Sequence, residues 1–180
     1  MTEKPEITIA ARDLDAGGKR FRFVLRADWL REALAETEVT PEGPDGELDV
    51  RASKSGKDVL VRGRIQARLA VPCARCLEPA KVAVDEEVNA LFVPAATLEG
   101  SEGPEDEYEV SSDEADTLPF DGETVVLDEV ARDELLLAVP MIPLCSEACP
   151  GIRPPAAAGE EKPAVDPRLS PLLRYKAKRS

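Results

Sequence analysis

The sequence predicts an α+β fold: an antiparallel β-sheet of five or more strands with two helices, interrupted by a long acidic disordered loop. Three observations carry that prediction. Residues 59–71 and 81–93 alternate apolar and polar side chains with a period of two, the pattern of half-buried strands. Residues 27–37 and 128–138 instead space their apolar side chains as one face of a helix. From Pro94 to Pro119 the apolar pattern disappears and acidic residues dominate, which predicts a flexible loop over about 95–119.

Taken in order, EITIAARDL (6–14) and KRFRFVL (19–25) read as short strands around the turn signal Asp15-Ala16-Gly17-Gly18. ADWLREALAET (27–37) places Trp29, Leu30, Ala33 and Leu34 on one helical face, with Asp28 as N-cap or first-turn acid. TPEGPDG (40–46) is a loop. ELDVRAS (47–53) pairs with the strand at 59–71 through the glycine-containing hairpin loop KSGKD. In that strand Val59, Val61, Ile65, Leu69 and Val71 face one way, and Arg62, Arg64, Gln66 and Arg68 the other. In 81–93 the face of Val82, Val84, Val88, Ala90 and Phe92 is broken only by Glu86, and PCARCLEP becomes a hairpin tip. A short strand at Thr124–Leu127 precedes the helix from Asp128 to Ala138, which buries Val130, Ala131, Leu135 and Ala138 or Leu137. Pro140 and Pro143 end it. Residues 1–152 make the domain, and 153–180 a linker and basic tail.

A chain of 180 residues suits one domain with tails. A hydrophobic fraction of 43% allows a core, and 33% charged residues imply a heavily solvated surface. No stretch approaches the roughly 20 apolar residues of a membrane span, and MTEKPEITIA lacks the apolar run of a signal peptide. The expectation is a cytoplasmic protein with no membrane partner and no small-molecule substrate. The net charge of −13 is uneven. Residues 1–84 carry 15 basic and 14 acidic side chains, residues 85–134 carry 1 and 18, and residues 135–180 carry 7 and 4. The excess belongs to one block, so the other surfaces remain open to nucleic acid.

All four cysteines lie in VPCARCL (71–77) and LCSEACPG (144–151), and the chain has no histidine. Cys-x-x-Cys at a hairpin tip lets two sulfurs face one point while nearby backbone N–H groups donate to them. Cys145 and Cys149 could complete a structural Zn²⁺ site with Cys73 and Cys76. Arg75 and Arg153 would offset the formal charge of such a centre. Two other uses stay open: reduced thiols without metal, and a redox dithiol. The redox use is disfavoured because the first pair does not open a helix, whose N-terminus would lower a thiol pKa. A catalytic zinc would need a histidine or carboxylate set and an open position.

VPCARCLEP, an acidic interval, FDGETVVLDEVARDELLLAVPMIPLCSEACPGI and DPRLSPLL, in this order, resemble the YceD family, a bacterial and plastid family also called large ribosomal RNA subunit accumulation protein. The resemblance implies a non-enzymatic ribosome biogenesis factor. It would support synthesis, processing or accumulation of large-subunit (23S) ribosomal RNA through contacts to RNA or a large-subunit ribosomal protein. Many relatives continue into a further cysteine-rich stretch, where this chain has IRPPAAAGEE. The ligand set is therefore confined to Cys73, Cys76, Cys145 and Cys149.

The candidate RNA contacts are Arg62, Arg64 and Arg68 on one strand face, with Arg51, Lys54 and Lys57 alongside, Arg75 at the hairpin tip, and Arg174, Lys176, Lys178 and Arg179 in the tail. The alternative for the strand is an ordinary wet face whose arginines pair with Asp85 and Glu87. The acidic stretch Glu99–Asp116 reads as a solvated linker, or as a nucleic-acid mimic competing for the arginines. Enzyme classes find little support, with no phosphate-cradling glycine loop and no nucleophile motif. A thiol-disulfide redox protein and a protein-only adaptor for a basic ribosomal protein are the competing functions.

Overall fold

The computed structural model describes residues 6–98 and 117–152. Met1–Cys149 is one compact unit and Pro150–Ser180 a separate one. In chain order the elements are β1 (Thr8–Ala10), a 3-10 turn (Ala11–Asp13), β2 (Lys19–Leu25), α1 (Ala27–Ala33), β3 (Thr40–Pro41), β4 (Gly46–Ser55) and β5 (Asp58–Pro72). There follow β6 (Pro79–Pro94), α2 (Ala95–Leu98), β7 (Thr117–Phe120), β8 (Thr124–Val126) and α3 (Asp128–Leu137). No helix among the described residues is long and apolar enough to cross a membrane.

The two period-two segments are the centre of a six-stranded sheet with order β2-β4-β5-β6-β7, in which β3 also pairs with β5. Every pair is antiparallel except β6–β7, which is parallel. Val59, Val61, Ile65 and Leu69 of β5 are fully buried. Each such side chain contributes about 1.5–3 kcal/mol through burial. They form one core with Leu48 and Val50 of β4, Trp29 and Leu30 of α1, and Ala131 and Leu135 of α3. The even-numbered face of β5, with Arg62, Arg64, Gln66 and Arg68, is exposed.

Several expectations shift at the periphery. The turn at Asp15–Gly18 does not pair β1 with β2. The Asp15 carbonyl and carboxylate both accept from the Gly18 N–H, and the same carbonyl accepts from Lys54 N at 2.9 Å. The turn is thereby fastened to β4, which pairs with β2, while β1 forms a separate two-stranded sheet with β8. The helices number three among the described residues, because a single turn, α2, follows β6. Asp28 lies in the first turn of α1, and Asp45 accepts from Ala27 N at 2.9 Å in place of an N-cap side chain. In α3 the fully buried positions are Ala131 and Leu135, while Leu137 is 79% exposed. The loop expected over about 95–119 is ordered at both ends, where α2 takes Ala95–Leu98 and β7 begins at Thr117 and pairs with β6; residues 99–116 and the tail from 153 onward lie outside the described residues.

One carboxylate joins three elements. Asp128, at the start of α3, accepts from Glu6 N at 3.1 Å, Ile7 N at 3.0 Å and the Trp29 indole N–H at 3.0 Å. Replacing it by alanine leaves three donors without their acceptor and is expected to cost about 2–3 kcal/mol. Chemical denaturation measures the loss. Fluorescence of Trp29, the chain's one tryptophan, reports locally on the freed indole.

Candidate metal centre and arginine face

The hairpin joining β5 to β6 closes at Pro72↔Pro79, and the six residues between them form the first cysteine loop. Cys73 N donates to Glu78 O at 2.9 Å and Leu77 N to Cys73 O at 2.9 Å, which curls the loop so that Cys73 and Cys76 point the same way. Leu77 takes a φ of 65°, the left-handed region that usually falls to glycine. The second loop follows α3 and is fastened to the first by Ala74 N donating to Pro143 O at 2.8 Å. Arg75 Nη1 reaches the carbonyl oxygens of Glu147 and Cys149, each at 3.2 Å. Arg75 thus ties one cysteine loop to the other.

These fastenings bring all four Sγ atoms within 4.8 Å of one another. The Cys73 and Cys149 sulfurs are 3.9 Å apart, and those of Cys76 and Cys145 are 3.6 Å apart. A disulfide needs about 2.05 Å, so these are free thiols. A tetrahedral zinc with Zn–S bonds of about 2.3 Å places its sulfurs about 3.8 Å apart. The donor set and the spacing therefore both fit a four-sulfur metal centre. Cys73 and Cys149 are buried in a small apolar cluster with Val71 and Ala80, while Cys145 is exposed.

The thiols differ in acidity. Backbone hydrogen bonding, from Cys145 first and Arg75 next, pulls the Cys73 thiol down to about 6. The neighbouring sulfurs of Cys76 and then Cys149 push Cys145 up to about 12. At Cys76 the Glu78 backbone N–H pulls down, but burial and the adjacent thiols outweigh it and the value rises. Four thiolates cannot coexist at this spacing without a cation, and a divalent metal would replace the protons that hold them neutral.

The exposed face of the sheet is ordered in rows across the strands. Row one runs Val24–Glu47–Gln66–Asp85, row two Arg22–Asp49–Arg64–Glu87, and row three Arg20–Arg51–Arg62–Asn89. Asp49 takes two hydrogen bonds from Arg20, both 2.7 Å, and two from Arg22 at 2.9 and 3.3 Å. Those bonds, Arg20's first, hold the Asp49 carboxyl down to about 2, so the pairing persists until pH falls through that value. Arg64 pairs with Asp85, as the wet-face alternative expects. Rows one to three surround a concavity of about 440 Å³ with Gly63 at its floor. A Cβ on Gly63 would lie 2.1 Å from the Asp49 carbonyl oxygen, so the close approach of β4 and β5 there excludes any side chain.

The other sequence-predicted contacts are scattered. Arg68 lies on the same exposed face, opposite Ala83. Lys57 is in the β4–β5 turn. Lys54 faces the other way, beside Arg12 and Glu123. Arg174, Lys176, Lys178 and Arg179 lie outside the described residues. Arg20 and Arg22 escaped the sequence reading, although KRFRFVL alternates basic and aromatic residues and so carried the signal.

A family model described as large ribosomal RNA subunit accumulation protein YceD matches residues 61–174, more than half of the chain. Uncharacterized proteins of Mycobacterium bovis and Mycobacterium tuberculosis are each 29% identical over 133 residues, covering 71% of this chain and 60% of their own length. An uncharacterized protein of Mycobacterium leprae is 27% identical over 155 residues, covering 84% of this chain and 67% of its own. The chain thus spans about three fifths of the first of these relatives. No solved structure matches it.

Metal loading is expected to release protons. At neutral pH the Cys145 thiol must lose its proton to the metal, so zinc affinity should fall at least tenfold per unit as pH drops. Competition against a chromophoric chelator over a pH series measures this. Cys73→Ser should abolish high-affinity binding of one zinc per chain, read by metal quantification after anaerobic purification.

Proposed function

The chain belongs to the YceD family of large ribosomal RNA subunit accumulation proteins, and from that premise we propose that it is a non-catalytic factor acting in the cytoplasm by binding RNA. The observation that supports this reading is the arginine face. Six arginines, Arg20, Arg22, Arg51, Arg62, Arg64 and Arg68, project from one exposed sheet surface of a chain whose net charge is −13. Guanidinium groups held on a rigid sheet suit phosphate, because their forked donors are fixed before the ligand arrives.

In this reading residues 1–152 are the binding domain and 153–180 a basic extension. The four cysteines hold a structural Zn²⁺ that ties the tip of the β5–β6 hairpin to the chain after α3. Such a centre uses all four positions for protein sulfur and leaves none for a substrate. Structural zinc supplies about 10–16 kcal/mol in small peptides, ample to close a loop of this length, whose entropy cost grows only with the logarithm of its size.

The redox reading has one feature in its favour, the acidic Cys73 thiol. That sulfur is fully buried, however, whereas a thiol acting on a partner's disulfide must reach it. A buried low-pKa thiolate suits a metal ligand better.

Crosslinking in cells, followed by sequencing of the bound RNA, tests the proposal. Enrichment of large-subunit ribosomal RNA is the expected outcome. Crosslinks confined to a basic ribosomal protein would favour the adaptor, and disulfide exchange by the purified protein would favour the redox reading.

A further inference from the structure

The exposed face is not evenly charged. Within the three rows the four acids, Glu47, Asp49, Asp85 and Glu87, lie in rows one and two, while row three holds Arg20, Arg51, Arg62 and Asn89 with no acid. Asp49 reaches into row three and occupies Arg20 through two nitrogens. Arg22 is shared between Asp49 and Glu47, and Arg64 is taken by Asp85. Of the five arginines in these three rows, two are left. Arg51 donates to the Gly17 carbonyl, which accepts a hydrogen bond but cancels no charge. Arg62 has no carboxylate partner among the described residues.

Arg51 and Arg62 are register partners on β4 and β5. Directly opposed residues have Cβ atoms about 4.5–5.5 Å apart, and like charges in that position destabilise a sheet. The fold thus sets two arginines without a carboxylate partner at opposed positions on neighbouring strands, on the wall of a concavity of about 440 Å³. Asn89, the next residue in the row, adds an amide donor.

We propose that Arg51 and Arg62, with Asn89 beside them, grip the phosphodiester backbone of RNA. This rests on the RNA-binding reading above and narrows it to one row. A phosphodiester is favoured over an acidic side chain by the number of acceptors each presents. Asp49 shows what a carboxylate does on this face: its two oxygens are filled by the fork of Arg20 together with the guanidinium of Arg22. Two further guanidinium groups and an amide present more donors than one carboxylate has lone pairs directed at them, and successive phosphates along a strand supply oxygens pointing several ways. Arg20, Arg22 and Arg64 are positioning residues, whose carboxylate partners lock the neighbouring rows and leave row three as the site of excess charge.

The test uses the full-length, zinc-loaded chain and fluorescence anisotropy with a labelled single-stranded RNA of about 20 nucleotides over a potassium chloride series. The double variant Arg51→Gln/Arg62→Gln should bind about tenfold or more weakly, and its log–log salt slope should fall by about 1.4, the value for two lost contacts to a single strand. Its melting temperature should equal or exceed that of the parent, because a like-charge contact is removed. The control Arg12→Gln/Arg31→Gln changes net charge equally but lies off this face, and should keep the parent's salt slope. If the double variant keeps that slope, this inference is overturned while RNA binding stands. If the parent binds no RNA, both readings fall together. If polyglutamate displaces the probe as well as unlabelled RNA of equal charge does, the row is an acidic-protein site and the inference is likewise overturned.

Discussion

The rest of this architecture depends on two distant stretches of chain meeting at the tip of one hairpin. The sulfurs of Cys73 and Cys149 are 76 positions apart in sequence and 3.9 Å apart in space. Protein hydrogen bonds already bring the two loops together: Ala74 N to Pro143 O, and Arg75 to the carbonyls of the second loop. Thiols whose sulfurs crowd one another resist ionisation, as the high value at Cys145 shows. The protein thus sets out four donors, paired by S–H···S contacts, whose full ionisation a divalent cation would permit. Metal and fold would then support each other, the fold by gathering the ligands and the metal by bonding to all four.

The hairpin so anchored is also the spine of the sheet. β5 and β6 run 15 and 16 residues, long enough to leave one face in the core and the other displaying a charge pattern across several strands. On the buried face, packing against α1, α3 and the β1–β8 pair supplies the stability. On the exposed face, the charges show two kinds of ordering. Rows one and two set acids beside arginines, as expected of a surface arranged for its own stability. Row three does not. A local violation of that rule, held by a well-packed scaffold, is the pattern of a surface shaped for something outside the chain.

A net charge of −13 would argue against nucleic acid if it were spread over the molecule. It is not spread: the acidic excess lies in residues 85–134, of which only Asp85 and Glu87 stand as acids in the rows, while the arginines come from β2, β4 and β5. Local potential, not the average, governs what approaches a surface within the roughly 8–10 Å over which salt lets charges act.

The sequence by itself determined the central hairpin, the position of both main helices and the chemistry available at the cysteines. Alternation in 59–71 and 81–93 fixes which side chains are buried, because a strand's period is a local property of the backbone. The convergence of four sulfurs was legible for a similar reason, since thiols in two close pairs share few other uses. Tertiary structure decided the rest. That β1 pairs with β8, that Asp128 gathers donors from the N-terminal strand and from Trp29, and that Arg20, Arg51 and Arg62 stand in one row all depend on which strands become neighbours and in what register. Register is set by packing over the whole domain, and a shift of one residue would turn every one of those arginines to the opposite face.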